Sequence, residues 1–146
     1  MKSIKNGKVK QMKIFYVGVK GVIVRDGKVL VLRSNPDHEN RGERWEMPGG
    51  RMDDDESIEQ TLNRELKEEL PNITDIKVGE ILGAHRLHKD IDGNKSLVLI
   101  YYKVSANFKG EPSLSEEHTE YIWADKQTIT QLIADASQAT ILKTLK

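Results

Sequence analysis

Gly50-Arg51-Met52-Asp53-Asp54-Asp55-Glu56-Ser57-Ile58-Glu59-Gln60-Thr61-Leu62-Asn63-Arg64-Glu65-Leu66-Lys67-Glu68-Glu69 is the stretch whose reading decides this chain. Five residues separate Gly50 from Glu56, and seven separate Glu56 from Arg64. Ser57, with Gln60 three positions on, has the form of a capping box, and Ile58, Leu62, Leu66 and Leu70 recur every fourth residue behind it. The pattern predicts a helix over about 57 to 70 with a leucine stripe facing a core. At about 100° per residue, Glu65, Glu68 and Glu69 share roughly a third of the helix circumference, at the edge of that stripe. Like charges three and four residues apart repel by roughly 0.2–0.5 kcal/mol per pair, and the last turns of a helix disfavour anions. A cation between them would reverse both costs, while Arg64 and Lys67 screen part of the repulsion. The helix alone leaves two readings open, a solvated acidic face and a metal site.

If a metal binds, the ligand type chooses it. Clustered carboxylates without His or Cys favour a hard divalent ion, Mg²⁺ or Mn²⁺, which keeps waters and binds phosphate oxygens. A phosphate ester is then the natural substrate class. Gly49 and Gly50 lie just upstream, where a backbone without side chains either forms a plain turn or passes close to a metal or phosphate.

Outward from this segment the pattern is mixed β and α. Phe15 to Arg25 is rich in β-branched and aromatic residues, and Asp26-Gly27 offers a two-residue turn before Lys28 to Arg33, which together predict a hairpin. Ser34 to Glu43 is polar, with Pro36 and Gly42, and reads as a loop. Further strands are expected near 77 to 87, 96 to 104 and 119 to 123, with Asp92-Gly93 as the turn between the first two. Lys126 to about Lys143 looks helical, with an interruption around Ala136 to Gln138.

The whole of 1–146 reads as one domain, with a basic, flexible N-terminal tail over 1–13 that carries Lys2, Lys5, Lys8, Lys10 and Lys13. Charged residues make up 32% and cancel to a net charge of zero, so no basic field argues for a nucleic-acid polymer or an anionic membrane. The absence of cysteine excludes disulfides and thiolate metal sites and is consistent with a cytoplasmic protein. No apolar run approaches the roughly 20 residues that span a bilayer.

At these spacings the stretch resembles the signature of the Nudix hydrolases, G-x5-E-x7-R-E-U-x-E-E-x-G-U, and Trp45-Glu46-Met47-Pro48-Gly49 extends the likeness upstream. Ser115-Glu116-Glu117-His118-Thr119-Glu120-Tyr121-Ile122-Trp123 is similar to a segment frequent in MutT-like members. The resemblance implies an α/β/α sandwich around a mixed β-sheet, with a loop-helix-loop catalytic motif. It implies hydrolysis of a pyrophosphate bond in a nucleoside diphosphate derivative, with Mg²⁺ as cofactor and Mn²⁺ as an alternative. Glu65, Glu68 and Glu69 would hold the ions, with the carbonyl of Gly49 adding a ligand. Arg64 would orient a carboxylate through its fork-shaped guanidinium, and Glu56 would tether the loop. Members of the family take the water's proton on a glutamate of the signature helix or on one from a later loop. The loop candidates here are Glu116, Glu117 and Glu120, with Glu117 favoured and His118 read as a structural or substrate-edge residue. Arg51, Arg33 and Trp45 are the expected substrate contacts.

Pro71 and Asn72 stand where the signature has glycine and an aliphatic residue. Proline cannot adopt the left-handed cap and discourages helical geometry at Leu70, so the helix is expected to stop about one residue early, with Asn72 supplying the left-handed turn. For substrate, no signature of the NADH or coenzyme A pyrophosphatases is visible. The downstream proline and tyrosine of the ADP-ribose and diadenosine polyphosphate groups are also missing. A MutT-like nucleoside triphosphate pyrophosphohydrolase remains, with ADP-ribose or another nucleoside diphosphate sugar as the alternative substrate. A nucleotide-binding domain without catalysis is the alternative of another class. The expected partner is a small nucleotide, and the expected state a monomer or homodimer.

Overall fold

The computed structural model of the chain describes residues 2–38, 42–91 and 95–145. It opens with β1 (Lys2–Lys5) and β2 (Lys8–Gln11), paired antiparallel around Asn6 and Gly7, whose φ values are 53° and 73°. Asn-Gly is a strong hairpin signal, and in the lysine-rich segment it was masked by composition. Next come β3 (Ile14–Arg25) and β4 (Lys28–Ser34), joined through Asp26 and Gly27 at φ 51° and 72°, as a primed two-residue turn requires.

The hairpin does not stay closed. Only Val24↔Val29 and Arg25↔Lys28 pair before β3 and β4 part. Into the split go β5 (Trp45–Glu46), paired with β4, and β6 (Gly49–Arg51), paired with β3. Pro48 and Val17 close the seam, accepting from the Gly21 and Met52 N–H groups at 2.8 Å each. The glycine pair is thereby held where the sheet opens, beneath α1 (Ile58–Glu69).

The rest of the sheet is built by β7 (Ile73–Ile91), β8 (Lys95–Phe108) and β9 (His118–Ala124), followed by α2 (Lys126–Leu132) and α3 (Ser137–Leu142). Strand order is β5-β4-β3-β8-β7, with β6 on β3 and β9 on β4. The sheet is mixed: β3 and β8 run parallel, whereas β7–β8 and β4–β9 are antiparallel. The Asp92-Gly93 turn lies outside the described residues.

Both faces of the sheet are covered. Leu62, Leu66 and Leu70 of the α1 stripe, all fully buried, pack on Val19, Ile23, Leu30 and Leu32. On the other face Ile129, Ile133 and Ile141 pack on Val22, Val29, Val31 and Tyr101. Val29-Leu30-Val31-Leu32 therefore reads as a continuous apolar run, as a strand buried on both faces should. The result is the expected α/β/α sandwich. Each buried leucine contributes about 1.5–3 kcal/mol, against a few tenths for each repelling glutamate pair. Packing therefore sets the rotation of α1, and the carboxylates sit where that rotation places them.

Two element ends differ from expectation. The helix does stop at Glu69, and Leu70 caps it at φ −128°, ψ 77°, but Asn72 is not left-handed; among the described non-glycine residues only Asn6, Asp26 and Asp75 have positive φ. Asn72 instead secures the 109–113 loop with its side chain. Its Nδ2 donates to the carbonyls of Glu111 (2.8 Å) and Lys109 (3.2 Å), and its Oδ1 accepts from Ser113 N–H (2.9 Å). Asn72→Ala is expected to cost about 1–2 kcal/mol, a few net hydrogen bonds at partial exposure, seen as a lower chemical-denaturation midpoint. An unchanged midpoint would show that the loop is held by other contacts. The C-terminal helical region breaks at residues 133–136, slightly ahead of the expected place, where Gln138 Nε2 donates to the Ile133 carbonyl at 2.7 Å.

Candidate active site

Arg64 is the hub of the motif. Its Nε and Nη2 donate to the two oxygens of Glu56 at 2.6 and 2.8 Å, a bidentate fork, while Nη1 donates to Glu65 at 2.8 Å. Nη2 also reaches the Arg51 carbonyl at 3.1 Å, tying β6 to α1. Seven residues separate Glu56 from Arg64, so the loop must fold back on the helix for this pairing. The Ser57–Gln60 capping box and the Asp53 N–H on Glu56 (2.9 Å) fix that return. The fork holds the Glu56 carboxyl down to about 2, and its carboxylate partners keep Arg64 protonated.

Glu65 lies against the glycine pair. A Cβ on Gly50 would stand 2.3 Å from the Glu65 carboxyl carbon, so only glycine leaves room for that side chain. Gly49, at φ 141°, has no space for a Cβ either, because the Val19 carbonyl oxygen would be 2.0 Å away. The Gly49 N–H donates to Glu69 at 3.1 Å. The two glycines thus form a floor, and Glu65 and Glu69 lie against it.

Glu69 is only 1% exposed. Burial raises its carboxyl from 4.5 to about 8; Lys20 and the Gly49 N–H oppose the rise, and Glu46 and Glu65 add to it. Burial also raises Glu65, against the pull of Arg64. A folded pKa above the unfolded one means a contribution to stability that is complete below 4.5 and lost as pH rises through about 8. With EDTA present, the melting temperature is therefore expected to fall over that window. Glu69→Gln should flatten the fall, and a divalent ion, which binds the ionised form, should oppose it. A metal-free melting temperature that climbs from 4.5 to 8 would contradict this account of Glu69.

Behind Glu69 lies a second charged layer. Glu46, 12% exposed, has Lys20 Nζ at 3.8 Å, Arg44 Nε at 3.1 Å and the ring of fully buried His118 at 3.6 Å. Burial acts to raise Glu46, but Lys20, His118 and Arg44 outweigh it and hold the carboxyl well below the usual range. Glu117, half-buried, precedes His118 in a loop tied to the end of α1: Ser115 N–H donates to the Glu69 carbonyl at 3.1 Å, and Asn35 N–H to the Glu117 carbonyl at 2.9 Å. Ligand atoms of Glu69, Glu117 and His118 lie within 4.8 Å of one another.

The structure therefore gathers Gly49, Arg64, Glu65, Glu69 and Glu117 in one place. Glu68 is at the rim, 53% exposed and 3.5 Å from Arg64. Arg51 gives its carbonyl to Arg64 while its guanidinium stacks 4.4 Å over Tyr16. Arg33 and Trp45 are paired with each other across β4 and β5, on the face opposite Leu32 and Glu46. Arg33 there forms ion pairs with Glu43 and with Glu120, the latter at 2.9 Å, and Trp45 packs against the α2–α3 core, so neither joins the carboxylates. Sequence reasoning passed over Lys20 and Glu46. A lysine inside the apolar run Val-Gly-Val-Lys-Gly-Val-Ile-Val, in a strand buried on both faces, was the available signal.

The donor chemistry fits a hard divalent ion. Glu65, Glu69 and Glu117 converge, and one of them is fully buried and driven toward protonation by burial and by neighbouring carboxylates, a condition a cation relieves.

Comparison with known proteins points the same way. The family model described as "NUDIX domain" matches residues 15–145. A "CTP pyrophosphohydrolase" of Escherichia coli is 32% identical over 113 residues, covering 77% of this chain and 78% of the relative. A "Putative 8-oxo-dGTP diphosphatase 2" of Mycobacterium tuberculosis is 37% identical over 106 residues, covering 72% and 70%. Among solved structures, a MutT NUDIX hydrolase from Burkholderia pseudomallei superposes with a TM-score of 0.70 at 26% identity, over 88% of this chain and 97% of that one.

Proposed function

The chain belongs to the NUDIX family and is a hydrolase of pyrophosphate bonds, and from that premise we propose that it is a Mg²⁺-dependent, MutT-like nucleoside triphosphate pyrophosphohydrolase of the cytoplasm. One observation carries the ion and its place: Glu69 is buried against the Gly49 N–H while Arg64 fixes Glu65 beside it. The substrate class is supported by the names of the relatives, a CTP pyrophosphohydrolase, an 8-oxo-dGTP diphosphatase and a nucleoside triphosphatase.

In this reading Glu65, Glu68, Glu69 and the Gly49 carbonyl would hold Mg²⁺, with Mn²⁺ as a substitute. Bound there, the ion supplies charge neutralisation for phosphate oxygens and a more acidic water. Arg64 keeps Glu65 from swinging away, and Glu56 keeps Arg64 in place. Glu117 accepts the proton as the water oxygen bonds to phosphorus, the bridging P–O bond breaks, and pyrophosphate leaves with that oxygen. Arg51 is assigned to the polyphosphate tail. Trp45 lines an open cleft of about 550 Å³ with Leu114, Glu120, Tyr121 and Ile122, and we assign the base to that cleft, with Arg33 at its edge through Glu120.

The test is a panel of nucleoside triphosphates and ADP-ribose, each assayed with Mg²⁺ and with Mn²⁺. Monophosphate plus pyrophosphate from a triphosphate is the expected outcome. AMP plus ribose phosphate from ADP-ribose alone would replace the substrate assignment, and metal binding without turnover on any compound would make the domain a binding module.

A further inference from the structure

We propose that Lys20 is a positioning residue of the carboxylate site, a tethered cation that holds Glu46 and Glu69 together when no ion is bound and thereby lowers the affinity of the site for Mg²⁺. The inference rests on the reading of these carboxylates as an ion site, and not on the nucleotide assigned to it.

Lys20 interrupts an apolar strand. Val19 before it and Val22 beyond it are fully buried, and its own side chain is only 12% exposed. Withdrawing an ammonium from water is unfavourable unless anions meet it, and here carboxylates do so. Lys20 Nζ stands 3.8 Å from Oε2 of Glu46, whose side chain is also 12% exposed. Glu69 is the other carboxylate. Lys20 of β3 is in register with Gly49 of β6, and the Gly49 N–H donates to Glu69 at 3.1 Å, so Glu69 meets the sheet beside Lys20.

These contacts are those of a shared counter-ion and not of a dedicated pair. At 3.8 Å the Lys20–Glu46 contact is longer than a hydrogen bond, and Glu46 already has Arg44 Nε at 3.1 Å. Burial acts to raise both the Glu46 and the Glu69 carboxyls, and in each case Lys20 is the largest influence opposing it. A cation that favours both carboxylates before an ion enters also repels the entering ion. A unit charge about 6 Å from a divalent ion changes its affinity about tenfold at the dielectric constant of water, and more where water is excluded. Lys20 therefore keeps the site assembled and weakens its hold on Mg²⁺.

The test is a calorimetric Mg²⁺ titration of the full chain, stripped with EDTA and free of nucleotide. Lys20→Met should bind Mg²⁺ about tenfold more tightly than wild type, while its melting temperature in EDTA falls by about 5 °C or more. Lys20→Arg, which retains the charge, should stay within about threefold of wild-type affinity. A merely structural lysine would give the opposite sign in the first variant, because a loosened site binds the ion more weakly. Should Lys20→Met fail to fold, the same charge is removed where the neighbouring carboxylate is already neutral. Glu46→Gln combined with Lys20→Met should bind Mg²⁺ about tenfold more tightly than Glu46→Gln alone. Unchanged or weaker Mg²⁺ binding on removal of Lys20 in either background, or equal tightening by Lys20→Arg, overturns the proposal. Absence of Mg²⁺ binding in every protein, wild type included, would remove the ion site itself and the proposal with it, whereas a failed nucleotide assignment would alter none of these titrations.

Discussion

Replacing Glu69 or Glu65 by glutamine is expected to reduce Mg²⁺-dependent turnover by more than about 100-fold, beyond what a change outside the ligand set usually costs, while the protein still unfolds cooperatively. Glutamine preserves volume, and at position 69 its amide oxygen still accepts from the Gly49 N–H, so the packing of α1 on the sheet survives. What disappears is one negative charge in a site where burial and the carboxylates of Glu46 and Glu65 already oppose it. The metal-free Glu69→Gln variant should therefore be more stable than wild type near pH 8, although it is the less active protein. At position 65 the substitution also weakens the hydrogen bond from Arg64 Nη1. Steady-state kinetics at saturating Mg²⁺, with thermal melts of the same samples, check both variants. Wild-type rates in either would remove α1 from the chemistry.

Arg64→Lys should be the next most damaging change, lowering turnover about 10–100-fold. Lysine keeps the charge but not the fork. A single ammonium cannot reproduce the paired bonds to Glu56 at 2.6 and 2.8 Å while also holding Glu65 at 2.8 Å and the Arg51 carbonyl at 3.1 Å. The Glu56 loop and Glu65 would then move independently. Because the carboxylates remain, raising Mg²⁺ should restore part of the rate, a response that Glu69→Gln should not show. Full activity with lysine would mean that charge alone, and not geometry, is what position 64 provides.

Most of α1 was legible from the sequence because its signals are local. The capping box, the leucine stripe and the spacing of Glu56 from Arg64 all lie within one element and its preceding loop, and the helix ends at Glu69 much as Pro71 dictates. The hairpin at Asp26-Gly27 was equally local. The parting of β3 and β4 was not, because it depends on β5 and β6 entering the split, a pairing that turn chemistry does not encode. The same limit applies to Asn72. Its type suggested a left-handed cap, whereas its hydrogen bonds run to residues 109–113, which only the fold brings near. Lys20, Glu46 and His118 come from three separate strands and meet only in the assembled sheet. For Arg33 and Trp45 the residue type was legible but not the place, because strand alternation turns them to the face opposite Glu46, apart from the carboxylates.

The central claim is that the carboxylates gathered on the Gly49-Gly50 floor work by holding a divalent ion. Its most direct test is turnover of a nucleoside triphosphate by EDTA-stripped protein, measured before and after Mg²⁺ is restored. No monophosphate should form without the ion, and the full rate should return with it. Undiminished turnover by the stripped protein would contradict the account.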